Sequence, residues 1–565
     1  MYAEVERMSK KWNQGRKLLL LGLAAITFVM SISIVQADQD HVEPRNLVAG
    51  LSYTLSDPPY ENYPDSEWEL TDGIYDASLT FYDPAWQGHL RGKTREVVFD
   101  LGELKSISGI KTHFMQHSEV GIFYPNTVSM YVSMDGEKWG TLAHVNTKLP
   151  IWEPGPATEQ YYNWDGITDG VPTKGHPHAT MAQTRYVKVT FIAGTFAFLD
   201  EIEVWGVDGK AKGSAKIPVD EPAYALAGKA SGGIDNLMLL YNGWYENGDG
   251  DWTKENIMPY ISYVDEKGEP QDWLYDGVLY LGLWYKDWGG NYGTGTANLT
   301  AWQWYLDKTF APEGDLKQLN DATKEAGLKL GDQMHKTKVV LMIPHPGKEL
   351  SDFGDVDGDG VSENMVSQEV GEEAALANRK KAVDWYMNEL RNRWNASDYS
   401  HLELTGMYWL AEHAADQYDK QLIRYASDLV HHEKKCFFWI PNFFGNQNYA
   451  WEELGFDIAA LQPNHFFDET PVERLETSTG LSQQYHMGVE MEFDERMIDD
   501  PAFRARYIEY LNGGIDYGYM GDVFKAYYQG NTALLDSSRS EDPAVRQLYD
   551  WMYQFIKGTY MKQTP

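Results

Sequence analysis

The sequence predicts a multidomain protein in which an all-β sandwich is followed by a (β/α)8 barrel. Before about residue 210, short runs of alternating apolar and polar residues are separated by Gly, Asp and Pro. After it, eight apolar, strand-like runs alternate with longer amphipathic stretches. The first pattern is typical of antiparallel strands with one solvated face, and the second is typical of parallel strands covered by helices.

Residues 1–37 have the features of an export signal. Basic residues between positions 10 and 17 precede an almost wholly apolar stretch at 18–35, and residues 35–37 fit a cleavage site. Because the apolar stretch is long, an uncleaved membrane anchor is the alternative. No second hydrophobic span follows. We therefore expect a secreted, extracellular protein that contacts a membrane only if this segment is retained.

Composition narrows the class of partner. The chain has 565 residues and a formal net charge of −36, so phosphate repulsion argues against nucleic acid as a ligand. Its one cysteine, Cys436, excludes a disulfide within this sequence. We find no Gly-rich phosphate loop or zinc-protease helix, and we expect a monomer that needs no cofactor for catalysis.

The first half carries period-2 strands and ends in a linker. Strand-like runs lie at 96–101, 128–133, 185–191 and 201–205. Residues 208–223 are rich in Lys, Gly and Ala and contain Pro218 and Pro222, which is typical of a linker.

Several short motifs in this half occur in the order known from one family. They are LTDG at 70–73, VFDLG at 98–102, SMDGEKW at 133–139 and IEVWG at 202–206. Residues 45–207 thus resemble a discoidin (coagulation-factor type C) domain. The resemblance implies a jelly-roll module, a type that often binds glycans and often holds a structural calcium ion. Trp68, Tyr82 and Trp86 are candidate loop aromatics for such binding.

The second half, residues 224–560, is predicted to form the barrel and to be the catalytic domain. Its eight apolar runs are Asn236–Trp244, Val278–Tyr285, Lys338–His345, Leu404–Glu412, Cys436–Phe444, Phe456–His465, His486–Phe493 and Tyr517–Phe524. In such barrels the loops after the strands meet at one face, so residues that end the runs are the candidate site.

Carboxylates end the fourth and seventh runs. Cleavage of a glycosidic bond needs a proton donor and a second carboxylate as nucleophile or base. Glu412 is the candidate general acid, because the apolar strand before it favours a raised pKa. Glu490 and Glu492 alternate along one strand and share a face. Glu492 is preferred as the second carboxylate because it is nearer the rim, and Glu490 remains the alternative.

Amides, imidazoles, aromatics and further acids also end these runs. Such groups bind sugar hydroxyls and cover the apolar faces of sugar rings. The candidate substrate contacts are Asn242, Trp244, Trp284, His345, Tyr408, Trp409, Asn442, Asn464, His465, Asp494 and Asp522.

This half also resembles known families. Acids after strands four and seven resemble the clan-A glycoside hydrolases, which use a Glu at each position and retain configuration. Here Ala411, not Asn, precedes Glu412, so retention does not follow. The motifs GMYWL at 406–410, WIP at 439–441, QPN at 462–464 and EMEFD at 490–494 more specifically resemble an uncharacterised family of exported bacterial proteins. That resemblance implies a function that involves carbohydrate, but it does not identify the substrate.

A separate motif, DVDGDG at 355–360, alternates carboxylates and ends in Gly. This pattern wraps a hard cation with oxygen ligands, so Asp355, Asp357 and Asp359 are candidate ligands for structural calcium. Val366 stands where an EF-hand carries its bidentate Glu. A flexible acidic turn is the alternative.

The sequence therefore favours a secreted glycoside hydrolase that acts on a polysaccharide or glycoconjugate. The rival hypothesis is a non-catalytic glycan-binding or cell-surface adhesion protein with a barrel scaffold. Carboxyl groups that face one cleft favour the first hypothesis, and carboxylates paired with Arg favour the second.

Overall fold

A computed structural model describes residues 43–149, 151, 154–173, 175–467, 470 and 473–565. The predicted export signal at 1–37 lies outside these residues. Among the described residues, no helix combines the length and apolar character needed to cross a membrane.

The first domain is a β-sandwich, as predicted. Its strands pair antiparallel, apart from β8 and β10. They are β1 (Arg45–Asn46), β2 (Thr54–Leu55), β3 (Gln87–Leu90), β4 (Thr94–Gln116), β5 (Thr127–Ser133), β6 (Trp139–Asn146), β7 (Thr158–Asp165), β8 (Met181–Ile192), β9 (Phe196–Asp208) and β10 (Ser214–Lys216).

The 23-residue strand β4 ties the sandwich together. Its first part pairs with β2 and β8, and its second part pairs with β7 and β9. A core that includes Phe99, Ile110, Phe191 and Val204 fills the interior. Strand β10 lies within the predicted linker and pairs with β8, so residues 214–216 extend the sandwich. Sequence missed this strand because three residues are too few to show an alternating pattern.

The second domain is a closed barrel of eight parallel strands, which confirms the predicted fold class. A two-stranded antiparallel hairpin, β12 (Ser262–Val264) and β13 (Pro270–Trp273), lies beside it. The barrel strands are β11 (Asn236–Tyr241), β14 (Gly277–Leu281), β15 (Thr337–Ile343), β16 (Leu402–Trp409), β17 (Cys436–Trp439), β18 (Ile458–Leu461), β19 (Gly488–Glu492) and β20 (Lys525–Tyr528).

Helices alternate with these strands and cover the barrel. Asp416 and Asp500 cap two of them with side-chain oxygens, as expected for helix N-termini. The helices are α1 (Lys254–Ile261), α2 (Leu299–Thr309), α3 (Asp315–Leu330), α4 (Ser367–Val370), α5 (Glu372–Ala396), α6 (Gln417–His432), α7 (Trp451–Leu454), α8 (Arg474–Gln484), α9 (Arg496–Asp499), α10 (Pro501–Asp516), α11 (Ala533–Arg539) and α12 (Pro543–Ile556).

The eighth predicted strand, at 517–524, is wrong. Residues 517–524 form the connection from α10 to the true strand β20, which starts at Lys525. The connection reads as apolar because Tyr519, Val523 and Phe524 are buried within it. The actual strand is only four residues long and begins with a lysine, so it does not form an apolar run that can be recognised in the sequence.

The two domains share a polar interface. The hydroxyls of Ser129 and Tyr485 lie 2.7 Å apart. The Asn126 side chain donates to the carbonyl of Gly445, at 3.2 Å, and the Gln447 side chain donates to the carbonyl of Thr147, at 2.8 Å. Gly445 and Gln447 lie in the loop after β17, so this part of the sandwich rests against a loop at the C-terminal end of the barrel.

Candidate active site

Two glutamates from one strand lie inside the barrel mouth. Alternate residues of a strand face the same side, so Glu490 and Glu492 project together. Both are buried, at 3% and 1% exposure. Tyr528 lies opposite Glu492 in the register of β19 and β20, and its ring contacts that of Tyr241 at the end of β11, with centroids 5.6 Å apart. The bottom of the barrel mouth is thus lined by the two glutamates, and the side chains of Tyr241 and Tyr528 lie beside them.

Glu492 is held by donors from outside its own strand. The Tyr510 hydroxyl, on α10, donates to its Oε2, and the backbone N–H of His465 points to the same oxygen at 3.3 Å. Asn464 adopts φ 53°, a left-handed conformation that Asn tolerates better than most residues, at the turn before this N–H. Burial raises the pKa of Glu492 to about 7, and these donors limit the rise because they stabilise the anion.

Glu490 lacks such support. Burial, with the nearby carboxylates of Glu492 and Glu412, raises its pKa well above the usual range. Burial and its like-charged neighbours thus favour the protonated form of Glu490, whereas the donors around Glu492 favour its anion. The two groups sit close enough to titrate as a pair.

Glu412 faces the same space from the loop after β16. Its side chain is solvent-exposed, but the barrel wall surrounds it on most sides, and this desolvation raises its pKa. Gln462 and Asn442 lie beside the carboxyl and partly offset the rise by hydrogen bonding. The Trp439 indole donates to the carbonyl of Ala411, at 2.8 Å, and so fixes the chain just before Glu412.

The three glutamates converge without a compensating cation. Glu412 interacts electrostatically with both Glu490 and Glu492. Within the described part of the chain, none of the three forms a salt bridge with a lysine or arginine. Buried acids are normally paired when their role is structural. This arrangement can therefore hold one proton on one carboxyl and a negative charge on another.

Several predicted substrate contacts border this acidic floor. Tyr408 is buried and interacts with Glu412 and Glu490, so it lines the mouth. Asn442 and Asn464 are partly exposed beside Glu412 and Glu492. Trp244 and Trp284 are partly exposed on the loops after β11 and β14.

Asn242 does not face the mouth, contrary to the prediction. It is fully buried; its amide nitrogen donates to Thr309 and Asp315, and its amide oxygen accepts from Tyr305, at 2.8–3.0 Å. All these partners lie on α2 and α3. Because Tyr241 faces inward, its neighbour Asn242 must face the helices.

The side chains of His345 and Trp409 also pack away from the carboxylates, contrary to their predicted role as substrate contacts. Their rings meet edge to face, with centroids 6.0 Å apart; Trp409 is buried and His345 is partly buried. Burial, with Arg379 nearby on α5, lowers the pKa of His345 to about 3. The Trp409 side chain is therefore not placed to contact substrate, and His345 packs against it near Arg379.

His465, Asp494 and Asp522 also depart from the predicted role. The His465 ring bonds Thr470 and Glu509 at 2.9 and 2.8 Å, which leaves only its backbone N–H for Glu492. Asp494 pairs with Arg496 through Oδ2, at 2.6 Å. Asp522 precedes β20 and so lies at the opposite end of the barrel.

The acidic loop after β15 gathers its three aspartates as expected. Oxygens of Asp355, Asp357 and Asp359 lie within 4.8 Å of one another, and all three residues are exposed. The Lys381 ammonium lies 2.6 Å from Asp357. The donor chemistry suits a hard cation, which would have to displace this lysine from Asp357.

Sequence reasoning missed three parts of the site. Tyr510 lies in the middle of a helix, and only residues at the ends of predicted strands were considered as site candidates. Tyr528 belongs to the strand that was assigned to the wrong segment. Gln462 is polar at the end of β18 and was visible in the QPN motif, but it was not chosen as a contact.

Two family models match the chain. Residues 62–202 match the F5/8 type C domain, which confirms the discoidin resemblance. Residues 236–554 match the Domain of unknown function (DUF4855). The chain belongs to the DUF4855 family. The described barrel, with Glu412, Glu490 and Glu492, falls within the DUF4855 match. No curated protein matched the sequence.

Solved structures with local similarity cover 29% of the chain. Chitosan-binding module 1 of a chitosanase/glucanase from Paenibacillus sp. IK-5 is 18% identical over 99% of its length, with a TM-score of 0.19. The CBM32-6 module of GH89 from Clostridium perfringens is 16% identical over 99%, with a TM-score of 0.19. A GH29 fucosidase from Ruminococcus gnavus is 14% identical over 27%, with a TM-score of 0.20.

Proposed function

We propose that the DUF4855 domain of this chain is a glycoside hydrolase that cleaves a polysaccharide or glycoconjugate outside the cell. The observation that carries the proposal is the convergence of Glu412 with Glu490 and Glu492 in one barrel mouth, where no lysine or arginine among the described residues pairs with them. An adhesion scaffold would gain nothing from three unpaired acids held at raised pKa values, since each buried carboxyl costs stability.

The environments of the acids suggest their roles. Glu412 is exposed in the mouth and has a raised pKa, so it is suited to give a proton to the glycosidic oxygen as the bond to the anomeric carbon breaks. Glu492 carries the negative charge, because Tyr510 and His465 stabilise its anion. It then either attacks the anomeric carbon or removes a proton from the attacking water.

Glu490 has a different part in this scheme. It lies deeper than Glu492 on the same face, and its protonated carboxyl adds no second charge beside the anion. It can donate a hydrogen bond to Glu492 or to the sugar. We therefore assign it a positioning role and keep its amide variant as the test of that assignment.

The decisive experiment measures reducing-end release from soluble polysaccharides by the mature protein and by three amide variants. Glu412→Gln and Glu492→Gln should each lower kcat by at least about 100-fold. Glu490→Gln should retain more activity than either. Glu403→Gln, on the exposed start of β16, is the matched control and should behave as the parent. Equal release by parent and Glu412→Gln would remove Glu412 from the mechanism.

The F5/8 type C domain is proposed to hold the glycan. Tyr82 and Trp68 are 75% and 46% exposed, whereas Trp86 is buried and donates to Asp76, at 2.9 Å. The two exposed rings are therefore the candidates for stacking on sugar, and Trp86 is not. Binding of a soluble polysaccharide that Tyr82→Ala weakens without changing catalysis of a small substrate would support this role.

A further inference from the structure

A left-handed turn displays an indole at the rim of the barrel. Asp287 and Trp288 follow one another with φ values of 54° and 61°, a conformation that residues with a Cβ rarely adopt. Trp288 nevertheless remains 55% exposed, so little burial offsets the strain. Such strain persists where the surrounding structure imposes it, often at ligand sites.

Trp288 completes a corner made of three indoles. Its ring stands nearly perpendicular to those of Trp244 and Trp284, with centroids 5.1 and 5.2 Å away. These contacts brace the exposed ring from two sides. The faces that remain open are flat and apolar, which is the surface that covers the apolar face of a pyranose ring.

A cavity of about 280 Å³ adjoins this corner, near the lower limit for small-ligand sites. Trp244, Tyr245, Lys286 and Trp304 line it. Its floor is a loop that requires glycine, because a Cβ at Gly250 would lie 2.1 Å from the carbonyl oxygen of Gly243. Polar and aromatic groups therefore surround a space of about the size of one sugar ring.

Tyrosines link the lining of the cavity to the acidic floor. Tyr245 interacts electrostatically with Tyr528, and Tyr528 interacts with Glu490 and Glu492. The loop that bears Trp244 follows β11, whose last residue, Tyr241, contacts the Tyr528 ring. The Trp288 corner and the carboxylates therefore lie at the same end of the barrel.

We propose that this cavity and Trp288 form a subsite for sugar units away from the bond that is cleaved, so that the substrate is a polymer of several sugars and not a simple glycoside. The proposal rests on the proposed hydrolase function for its catalytic readout. Binding energy from such a remote subsite favours long chains over short ones.

The test compares Trp288→Ala with the parent full-length chain on two substrates of the same sugar, a soluble polysaccharide and an aryl monoglycoside. The variant should raise KM for the polymer about tenfold. It should leave kcat/KM for the aryl monoglycoside within about twofold, because that substrate does not reach the corner. Asp287→Gly relaxes the turn but keeps the indole, so it should behave as the parent on both substrates.

Binding separates failure of the subsite from failure of the hydrolase. Affinity electrophoresis in gels that contain soluble glucan, xylan, mannan, galactan or chitosan is repeated in a Glu412→Gln background that also carries Trp68→Ala and Tyr82→Ala, so that the sandwich does not mask binding at the barrel. Retardation that Trp288→Ala weakens supports the subsite even if the parent releases no reducing ends. If Trp288→Ala hydrolyses the polymer with an unchanged KM, the subsite proposal is wrong and the hydrolase proposal is unaffected. Retardation by no polymer, or retardation that is indifferent to Trp288, also overturns it.

A structural role for Trp288 predicts a different result. Trp288→Gly removes the left-handed strain, so its Tm should be equal to or higher than that of the parent. Loss of polymer binding in a protein that is no less stable can only reflect loss of the indole. A marked fall in Tm would show instead that Trp288 supports the fold.

Discussion

The Tyr510 hydroxyl on α10 donates a hydrogen bond to Oε2 of Glu492 at the end of β19. A donor to a carboxylate stabilises its ionised form. Tyr510→Phe should therefore raise the pKa of Glu492 by about one unit and move the acid limb of the kcat/KM profile to higher pH by the same amount. The pH–rate profile of reducing-end release checks this shift.

Tyr517→Phe is the matched control, because Tyr517 follows the same helix and does not contact Glu492. Its profile should coincide with that of the parent. A Tyr510→Phe variant that loses activity equally at every pH would show that the tyrosine contacts substrate and does not tune Glu492.

The buried acids should make the protein less stable as the pH rises. The pKa of Glu492 is raised to about 7 and that of Glu490 is raised well above its usual range, while both groups titrate at about 4.3 when unfolded. The folded state thus binds more protons between these values, and the free energy of unfolding falls as the pH increases through this window. Glu490→Gln should therefore stabilise the protein by about 1–3 kcal/mol at pH 8 and much less at pH 5.

Urea unfolding at the two pH values measures this difference. Glu403→Gln makes the same exchange of a carboxylate oxygen for an amide nitrogen at an exposed site and should show no such pH dependence. A stability gain in Glu490→Gln that is the same at pH 5 and pH 8 would contradict a raised pKa.

Asn242 should behave as a packing residue. Its side chain bonds Thr309, Asp315 and Tyr305 in a fully buried setting. Asn242→Ala leaves these groups unsatisfied and should lower the free energy of unfolding by about 2–4 kcal/mol. Asn464→Ala, at the partly exposed mouth, should instead raise KM with a smaller loss of stability. If Asn242→Ala raises KM in a protein of unchanged Tm, the packing role is wrong.

The aspartate loop provides a test for calcium. We expect Ca²⁺ to raise the Tm of metal-free protein, and Asp355→Asn to abolish this increase. Lys381 pairs with Asp357 at 2.6 Å and competes with the cation. Lys381→Met should therefore bind Ca²⁺ more tightly in isothermal titration. A Tm that is indifferent to Ca²⁺ would favour a plain acidic turn.

The sequence predicted which segments end at the mouth better than which side chains face it. Glu490 and Glu492 converge with Glu412 as expected, because alternation on one strand and the strand-end rule both apply. Asn242 and Trp409 satisfy the same rule, yet they face the helices. A shift of one residue reverses the side to which a strand residue points, and sequence boundaries are not that sharp. Tyr510 reaches the site through tertiary packing, which leaves no local pattern.

The contact between the sandwich and the loop after β17 has a consequence for how this chain can evolve. Asn126 and Thr147 hold Gly445 and Gln447, and the same loop carries Asn442 beside Glu412. A module that is gained or lost freely between genes must leave the catalytic machinery intact when it goes. Deleting this sandwich would remove the support under one wall of the mouth. We therefore expect related chains to keep the two domains together.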